Sequence, residues 1–466
     1  MDSVPKDLQD TFDSAGLNAS YWKQFGYLSI CTAIDFFDYF IAGFLVSAVA
    51  PSWNLNYGQS AIILLAAGVG SMAGSLAGGF LADRLGRRVV IVIGAIAAGA
   101  SSGAVALLPD QAWGLFALLR LLTGIFISAV FVSTVAMVTE QTPTRHRTLV
   151  ASLSFVAPSL GILLATLTSA MLLETLGWRG VAALAALPAA IGLIGLFLLE
   201  ESPLWLMSRG QEARARRAVS RRIGKPTDAI PFPMVRTVST GGFGDLFHYP
   251  RSVVFVFLIW FGGSTASYGV YAWGPTIVSL MQSVSPQDAA RQFLWVSLAS
   301  VLGKVVYSVV ASRTGRRLAG IVTSGAGMAF LAIAAEGHAV FILGMSMFTL
   351  ALAAAAFFSE GGGAGVGPYS VEVFPVHLAA RGAGVGQFAS GLGKILGPLS
   401  LALIAGSSNV VAPAATEAAV QPGFLFLAAS VGLGFLAYVF LAVETHGKRL
   451  RIERLSCDEE PDQSAG

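Results

Sequence analysis

Twelve stretches of this chain are long and apolar enough to cross a bilayer, and no other feature restricts its fold so strongly. Hydrocarbon offers no partner to backbone N–H and C=O groups, so each stretch must satisfy them internally, as a helix. A crossing needs about 20 predominantly apolar residues. The candidates lie at 27–50, 59–82, 89–108, 113–139, 150–173, 180–199, 252–281, 292–311, 318–335, 339–371, 383–406 and 423–443. Gly and Pro inside several of them are compatible with helix in a bilayer. Only 12% of residues are charged and the mean hydropathy is +0.71, whereas a soluble domain carries about 25% charged residues.

The first 25 residues are polar, without the short apolar core and small-residue cleavage site of a signal peptide. Cys31 falls in a span and Cys457 in a polar tail, so neither a disulfide nor a metal site is expected. A net charge of +3 gives no reason to expect nucleic acid. Apart from Arg179, Arg291 and three basic residues inside spans, every Lys and Arg falls in a tail or in a loop after an even-numbered span. Basic residues stay in the cytoplasm, which places both termini there. The expected division is a tail (1–25), a first bundle (26–199), a cytoplasmic linker (200–251), a second bundle (252–443) and a tail (444–466). The linker run "RGQEARARRAVSRR" reads as a solvated helix near the headgroups.

The two halves repeat. "TEQTPTRHR" after the fourth span and "VEVFPVHLAAR" after the tenth align at a shift of 232, which sets Glu140 on Glu372, Pro143 on Pro375 and Gly161 on Gly393. "GGFLADRLGRR" (Gly78–Arg88) has a weaker partner in "SVVASRTGRR" (Ser308–Arg317). The expected fold is an all-α membrane protein, twelve transmembrane helices in two pseudo-symmetric six-helix bundles.

These motifs resemble the major facilitator superfamily, whose halves are six-helix repeats. "GGFLADRLGRR" is similar to its signature between the second and third helices, and "LLRLLTGIFIS" to its fourth-helix Arg motif. "ESPLWLMSRGQEARA" and "VETHGKRLRIERL" resemble the sugar-porter markers after helices six and twelve. The resemblance runs from about residue 25 to 455. Within the superfamily, "DFFD" resembles the D-x-F-D pattern of aromatic acid:proton symporters, as do "LRLLTGIFISAVFVSTVAMVTEQTPTRHR" and "YGVYAWGPT". "FGGSTASYGV" departs from sugar porters, lacking the Gln-containing stretch that grips sugar hydroxyls. The resemblance implies a monomeric carrier in a bacterial inner membrane.

Charge inside the spans marks the candidate site. Asp35 and Asp38, three apart, share one helix face, roughly 13 and 18 Å from the cytoplasmic end of their span. One ionised carboxylate at mid-bilayer costs about 2.5–3.5 kcal/mol. Two adjacent ones repel, so the pair is expected to share a single negative charge. Either aspartate is alternatively a packing device, capped or paired with a cation. All five histidines (His146, His248, His338, His377, His446) fall at helix ends, in loops or in tails. Proton coupling is therefore assigned to Asp35, Asp38 and Glu360, the last with an intrabundle ion pair as its alternative.

Three cations lie in spans: Arg120, Lys304 and Lys394. Such cations face a wet cavity or a counter-charge. Arg120 suits Asp38 or Asp35, and protonation of that aspartate would free Arg120 to bind substrate. Lys304 and Lys394 would await the carboxylate of a small organic anion, unless either pairs with Glu360. Tyr39, Tyr268, Tyr271, Trp273 and Tyr307 would give flat apolar surface with a polar rim, and Gln387 a hydrogen bond. By resemblance, Glu140 with Arg147, Glu372 with Arg381, and Asp83 with Arg84, Arg87 and Arg88 latch the cytoplasmic side. The second half keeps Arg313, Arg316 and Arg317 but has Ser312 in place of the aspartate. The alternative for these arginines is orientation of the chain alone.

No Walker motif or histidine cluster is present, and "GGGAG" lies inside a span. An enzyme is not expected, nor any cofactor beyond the coupling proton. The leading expectation is proton-coupled symport of an aromatic or related carboxylate. Its alternatives are a sugar or polyol carrier, a proton-exchanging drug or metabolite exporter, and a non-transporting sensor.

Overall fold

The computed structural model describes residues 12, 16–143, 146, 150, 153–227, 243–337, 341–342, 345–375 and 378–444. The first half comprises α1 (Ala19–Ser52), α2 (Tyr57–Leu85), α3 (Arg87–Gly103), α4 (Trp113–Gln141), α5 (Val156–Leu184) and α6 (Leu187–Leu198). Linker helices α7 (Pro203–Ser208) and α8 (Glu212–Ile223) lead to the second half. That half contains α9 (Pro250–Met281), α10 (Pro286–Thr314), α11 (Arg316–Glu336), α12 (Met347–Glu372), α13 (Ala379–Ile404) and α14 (Pro413–Phe440).

Eleven of these helices are long and apolar enough to span. The twelfth crossing begins inside α5, where Gly177 breaks the helix at φ 65°. Residues 178–184 then run through a turn into α6 as the sixth span. Several expected starts move: α1 begins at Ala19 rather than 27 and α10 at Pro286 rather than 292, and two others shift as well. Phe341–Ile342 pairs with Met345–Ser346 as a short antiparallel hairpin, so the tenth span starts at Met347. The twelfth helix starts at Pro413, because "PAATEAAVQP" forms helix although its polar residues depress hydropathy.

Helices in lipid gain little from apolar burial against one another and rely on close backbone approach. The repeat preserves that approach. A Cβ added at Gly74 would overlap the Ile125 carbonyl oxygen, and one at Gly303 that of Phe357. Ile125 and Phe357 are equivalent at the shift of 232. Gly74→Leu or Gly303→Leu is therefore expected to cost about 1–3 kcal/mol or more by overpacking. The change should appear as a lower thermal midpoint and loss of monodisperse protein. Gly79→Ala, with nothing within 4 Å of the added carbon, should be neutral.

The start of α1, the end of α14 and helices α7 and α8 share one face, the linker face. The opposite, far face is closed by contacts between the halves. Tyr57 N donates to Asn409 O at 2.9 Å, Gly58 N to Ser407 O at 2.9 Å and Val411 N to Leu55 O at 3.0 Å. The Tyr57 and Thr416 hydroxyls bond to each other. Nearer mid-membrane, Thr166 bonds Ser297 at 2.7 Å, and Gly43 of α1 packs on the Tyr271 carbonyl of α9.

Candidate functional site

A cavity of about 1440 Å³, counting its open mouth, lies between the halves. Its walls use the linker-side portions of the helices: Ser75 late in α2, Pro158 early in α5, Trp260 early in α9, Val366 late in α12 and Gln387 early in α13. The cavity therefore opens toward the linker face and ends beneath the closed far face.

Lys394, Tyr39, Tyr268, Gln387, Lys304 and Glu360 all line it. Lys394 Nζ lies 5.4 Å from the ring centroids of both Tyr39 and Tyr268. Those rings meet edge to face at 4.8 Å. Cation–π contacts contribute about 0.5–2 kcal/mol, less than a full counter-charge, and no acid among the described residues forms a salt bridge with Lys394. Lys304 is different. Its Nζ lies 3.7 Å from Glu360 Oε2, with side chains 7% and 16% exposed, and Glu360 Oε1 accepts the Ser267 hydroxyl. Of the two readings open for Lys304, a free cation and a partner of Glu360, the structure gives the second.

Asp38 and Arg120 form a pair inside the first half. Arg120 Nη1 reaches Asp38 Oδ2 at 3.3 Å and the Asp38 carbonyl at 3.1 Å, while Nη2 donates to the Tyr39 carbonyl at 3.1 Å. The Ser102 hydroxyl of α3 donates to Asp38 Oδ1. Asp35 is buried, with Oδ2 unpartnered among the described groups. Arg120, Asp35 and Asp38 are absent from the cavity wall. The expectation that Arg120 touches cargo is corrected: it is bound behind Tyr39, 5.9 Å from that ring.

Three aromatic expectations are also corrected. Trp273 donates its indole N–H to Pro398 O at 2.7 Å beneath the far face. Tyr271 is packed against Phe40 and Phe293. Tyr307 is buried against Gly365. None of them lines the cavity. Their places are taken by Phe36, Phe131, Phe155 and Trp260, which no motif distinguished from packing aromatics. Ser264, Ser267 and Ser390 were also missed, although hydroxyls three apart in "GGSTAS" mark one polar helix face.

At the linker face Arg87 bridges Glu140 at 3.0 Å and Asp83 at 3.3 Å. The Ser202 hydroxyl adds a bond to Glu140. Arg316 holds Glu372 at 2.6 Å. Arg88 donates to Leu196 O at 2.6 Å, Arg84 lies over Phe80, and Arg313 is exposed. Arg381 follows the start of α13, and Arg147 lies outside the described residues. The Asp83 and Glu140 contacts thus join elements of one half. The linker clasps the same corner, with Trp205 Nε1 donating to the Asp83 carbonyl at 2.8 Å.

Two acids unassigned from sequence complete the repeat. Gly86 (φ 106°) and Gly315 (φ 89°) turn the chain into α3 and α11. Glu201 accepts from Arg87 N at 2.9 Å and Arg88 N at 3.2 Å. Glu444 accepts from Arg316 N at 3.1 Å and Arg317 N at 3.2 Å. Each carboxylate supplies acceptors and negative charge to a helix N-terminus. Their signal was an acid within two residues of the last apolar residue of spans six and twelve. Glu201→Ala or Glu444→Ala should lower stability by about 1–3 kcal/mol, read as a fall in the thermal midpoint.

Among known proteins, the family model described as "Sugar (and other) transporter" matches residues 25–455. The putative metabolite transport protein YaaU of Escherichia coli K12 is 30% identical over 82% of this chain and 84% of its own. The gallate transporter of Pseudomonas putida is 25% identical, covering 86% and 90%. The niacin transporter NiaP of Acinetobacter baylyi is 25% identical, covering 84% and 89%. The inward-open structure of the xylose transporter XylE from E. coli aligns with a TM-score of 0.68 at 18% identity, covering 91% and 97%. The match of motif, repeat and fold along nearly the whole chain settles its membership: this multi-pass membrane protein belongs to the sugar (and other) transporter family of the major facilitator superfamily and is a transporter, not an enzyme.

Proposed function

We propose that this transporter moves a small aromatic or related carboxylate together with protons by alternating access. The observation that carries the reading is Lys394, a cation on the cavity wall beside two tyrosine rings and without a salt-bridged acid among the described residues. A carboxylate about 4 Å from that ammonium gains about 4 kcal/mol of attraction at an effective dielectric near 20. Tyr39, Tyr268, Phe36 and Phe131 offer ring faces to the rest of such a molecule. Relatives named for gallate and niacin transport favour the same chemistry. The xylose transporters share the fold at lower identity.

Asp38 is the proposed proton carrier, since its protonation would release Arg120 from a buried pair. The basic linker face is read as cytoplasmic, which makes the conformation inward-open. The protein acts as a monomer in a bacterial inner membrane, with protons as the coupling ion. Proteoliposome uptake of labelled benzoate-class acid and of xylose, with and without an inward proton gradient, tests the reading. The acid should accumulate only under the gradient, and xylose should not compete. Competition by xylose with no response to the acid would replace the anion reading by a sugar one.

A further inference from the structure

We propose that Tyr39 is a positioning residue that couples the Asp38–Arg120 pair to the anion held at Lys394; this deepens the cargo reading above and rests on it. One ring is touched by two cations from opposite halves of the molecule. Arg120 Cζ lies 5.9 Å from the Tyr39 ring centroid and Lys394 Nζ 5.4 Å from it, both inside the roughly 6 Å over which a ring face attracts a cation. Arg120 also holds the Tyr39 carbonyl at 3.1 Å, so a shift of the guanidinium acts directly on this turn of α1. Tyr268, from α9, lies at the same distance from that ammonium, its ring 4.8 Å from the Tyr39 ring.

When Asp38 takes a proton, the Asp38–Arg120 pair passes from neutral to net positive. An anion at Lys394 then sees an added positive charge through one aromatic ring. The charge that changes is the Asp38 carboxylate beyond Arg120, and the anion lies about 4 Å beyond Lys394 Nζ. The two are therefore at most roughly 19 Å apart, which at an effective dielectric of about 20 is worth at least about fourfold in anion affinity. Linkage requires the bound anion to favour the protonated form by the same factor. The sign is that of symport. With the ring gone and water admitted, the dielectric rises towards bulk and the coupling falls to about twofold.

The titratable and charged groups around Asp38 are Cys31, Asp35 and Tyr39 on α1, and Arg120 from α4. Across the cavity stand Tyr268 of α9, Lys304 of α10, Glu360 of α12 and Lys394 of α13. From α3 the contact is Ser102. Of these, Arg120 and Lys394 are the cations within reach of the Tyr39 ring.

The test measures benzoate binding by calorimetry at acid and alkaline pH for wild type, Tyr39→Phe and Tyr39→Leu. Wild type and Tyr39→Phe should bind at least about fourfold tighter at acid pH, since the Tyr39 hydroxyl has no hydrogen-bond partner among the described residues to lose. Tyr39→Leu should bind within about twofold at both. In proteoliposomes it should exchange benzoate more slowly than wild type, having lost a ring face to the cargo, and should lose proton-driven accumulation altogether. If the Tyr39→Leu variant does not fold, Tyr39→Met is read in its place. A leucine or methionine variant that binds more weakly yet keeps the full pH response would overturn the coupling role and leave Tyr39 as cavity lining. Loss of the response in Tyr39→Phe would also overturn it. Absence of benzoate binding by wild type at either pH would overturn the cargo reading and this inference together.

Discussion

Asp38→Asn is expected to abolish uphill accumulation of cargo while leaving exchange across the membrane intact. Asparagine keeps the size of the side chain, with its oxygen toward Arg120 and its amide donating to the Ser102 hydroxyl in a reversed bond, so the packing of α1 against α3 and α4 survives. It holds no charge and takes no proton. A gradient of one pH unit supplies about 1.4 kcal/mol per proton, a tenfold accumulation, and the variant should lose all of that factor, its internal-to-external ratio falling to unity. Counterflow of labelled cargo should persist. Asp35→Asn should keep accumulation above unity, because Asp35 forms no salt bridge with Arg120. Asp38→Ala is a different experiment. Both substitutions take away the counter-charge of Arg120, but alanine also removes the side-chain acceptor and leaves the guanidinium with two backbone carbonyls alone. It should come nearer the full cost of about 3–5 kcal/mol and lower the thermal midpoint before it informs on coupling.

Lys394→Gln should raise the cargo Kd by about a hundredfold or more, the equivalent of losing roughly 3–4 kcal/mol of charge attraction. The glutamine can still donate a hydrogen bond but brings no charge to a cavity whose other cation is engaged. Lys304→Gln is expected to act less on binding, because Lys304 already faces Glu360 at 3.7 Å. Its effect should fall on stability, through a carboxylate left with Ser267 alone. Lys394→Arg should retain charge but bind several-fold less well, since the planar guanidinium replaces a compact ammonium beside two rings. Equilibrium binding to detergent-solubilised protein separates these cases.

The span count and the halving were legible because each rests on a property that survives without neighbours: the length of an apolar run, and the repeat of "TEQTP" in "VEVFP". Charge in the spans was equally visible. What each charge faces was not. A helix apolar on every side gives no rotational signal, so Lys304 on α10 and Glu360 on α12 read as two separate charges until packing brought them together. The same limit misplaced Tyr271, Trp273 and Tyr307. Aromatic residues deep in a span fill a helix–helix contact as readily as a cavity wall: Tyr271 of α9 against α1, Trp273 of α9 against α13, and Tyr307 of α10 against α12. Span six escaped a simple length criterion in the structure because Gly177 joins its first turns to α5, whereas the hydropathy of 180–199 had marked it clearly. Glu201 and Glu444 stood in quoted motifs, but capping depends on the return of the chain after a full helix hairpin, which spacing alone does not disclose.

Calorimetric titration of the purified wild-type protein with a benzoate-class acid and with its uncharged carboxamide tests the role of the unpaired lysine most directly. The two molecules share ring and shape and differ in one negative charge. The acid should bind at least about a hundredfold more tightly than the amide. Equal affinities would contradict a cavity organised around a cation awaiting its anion.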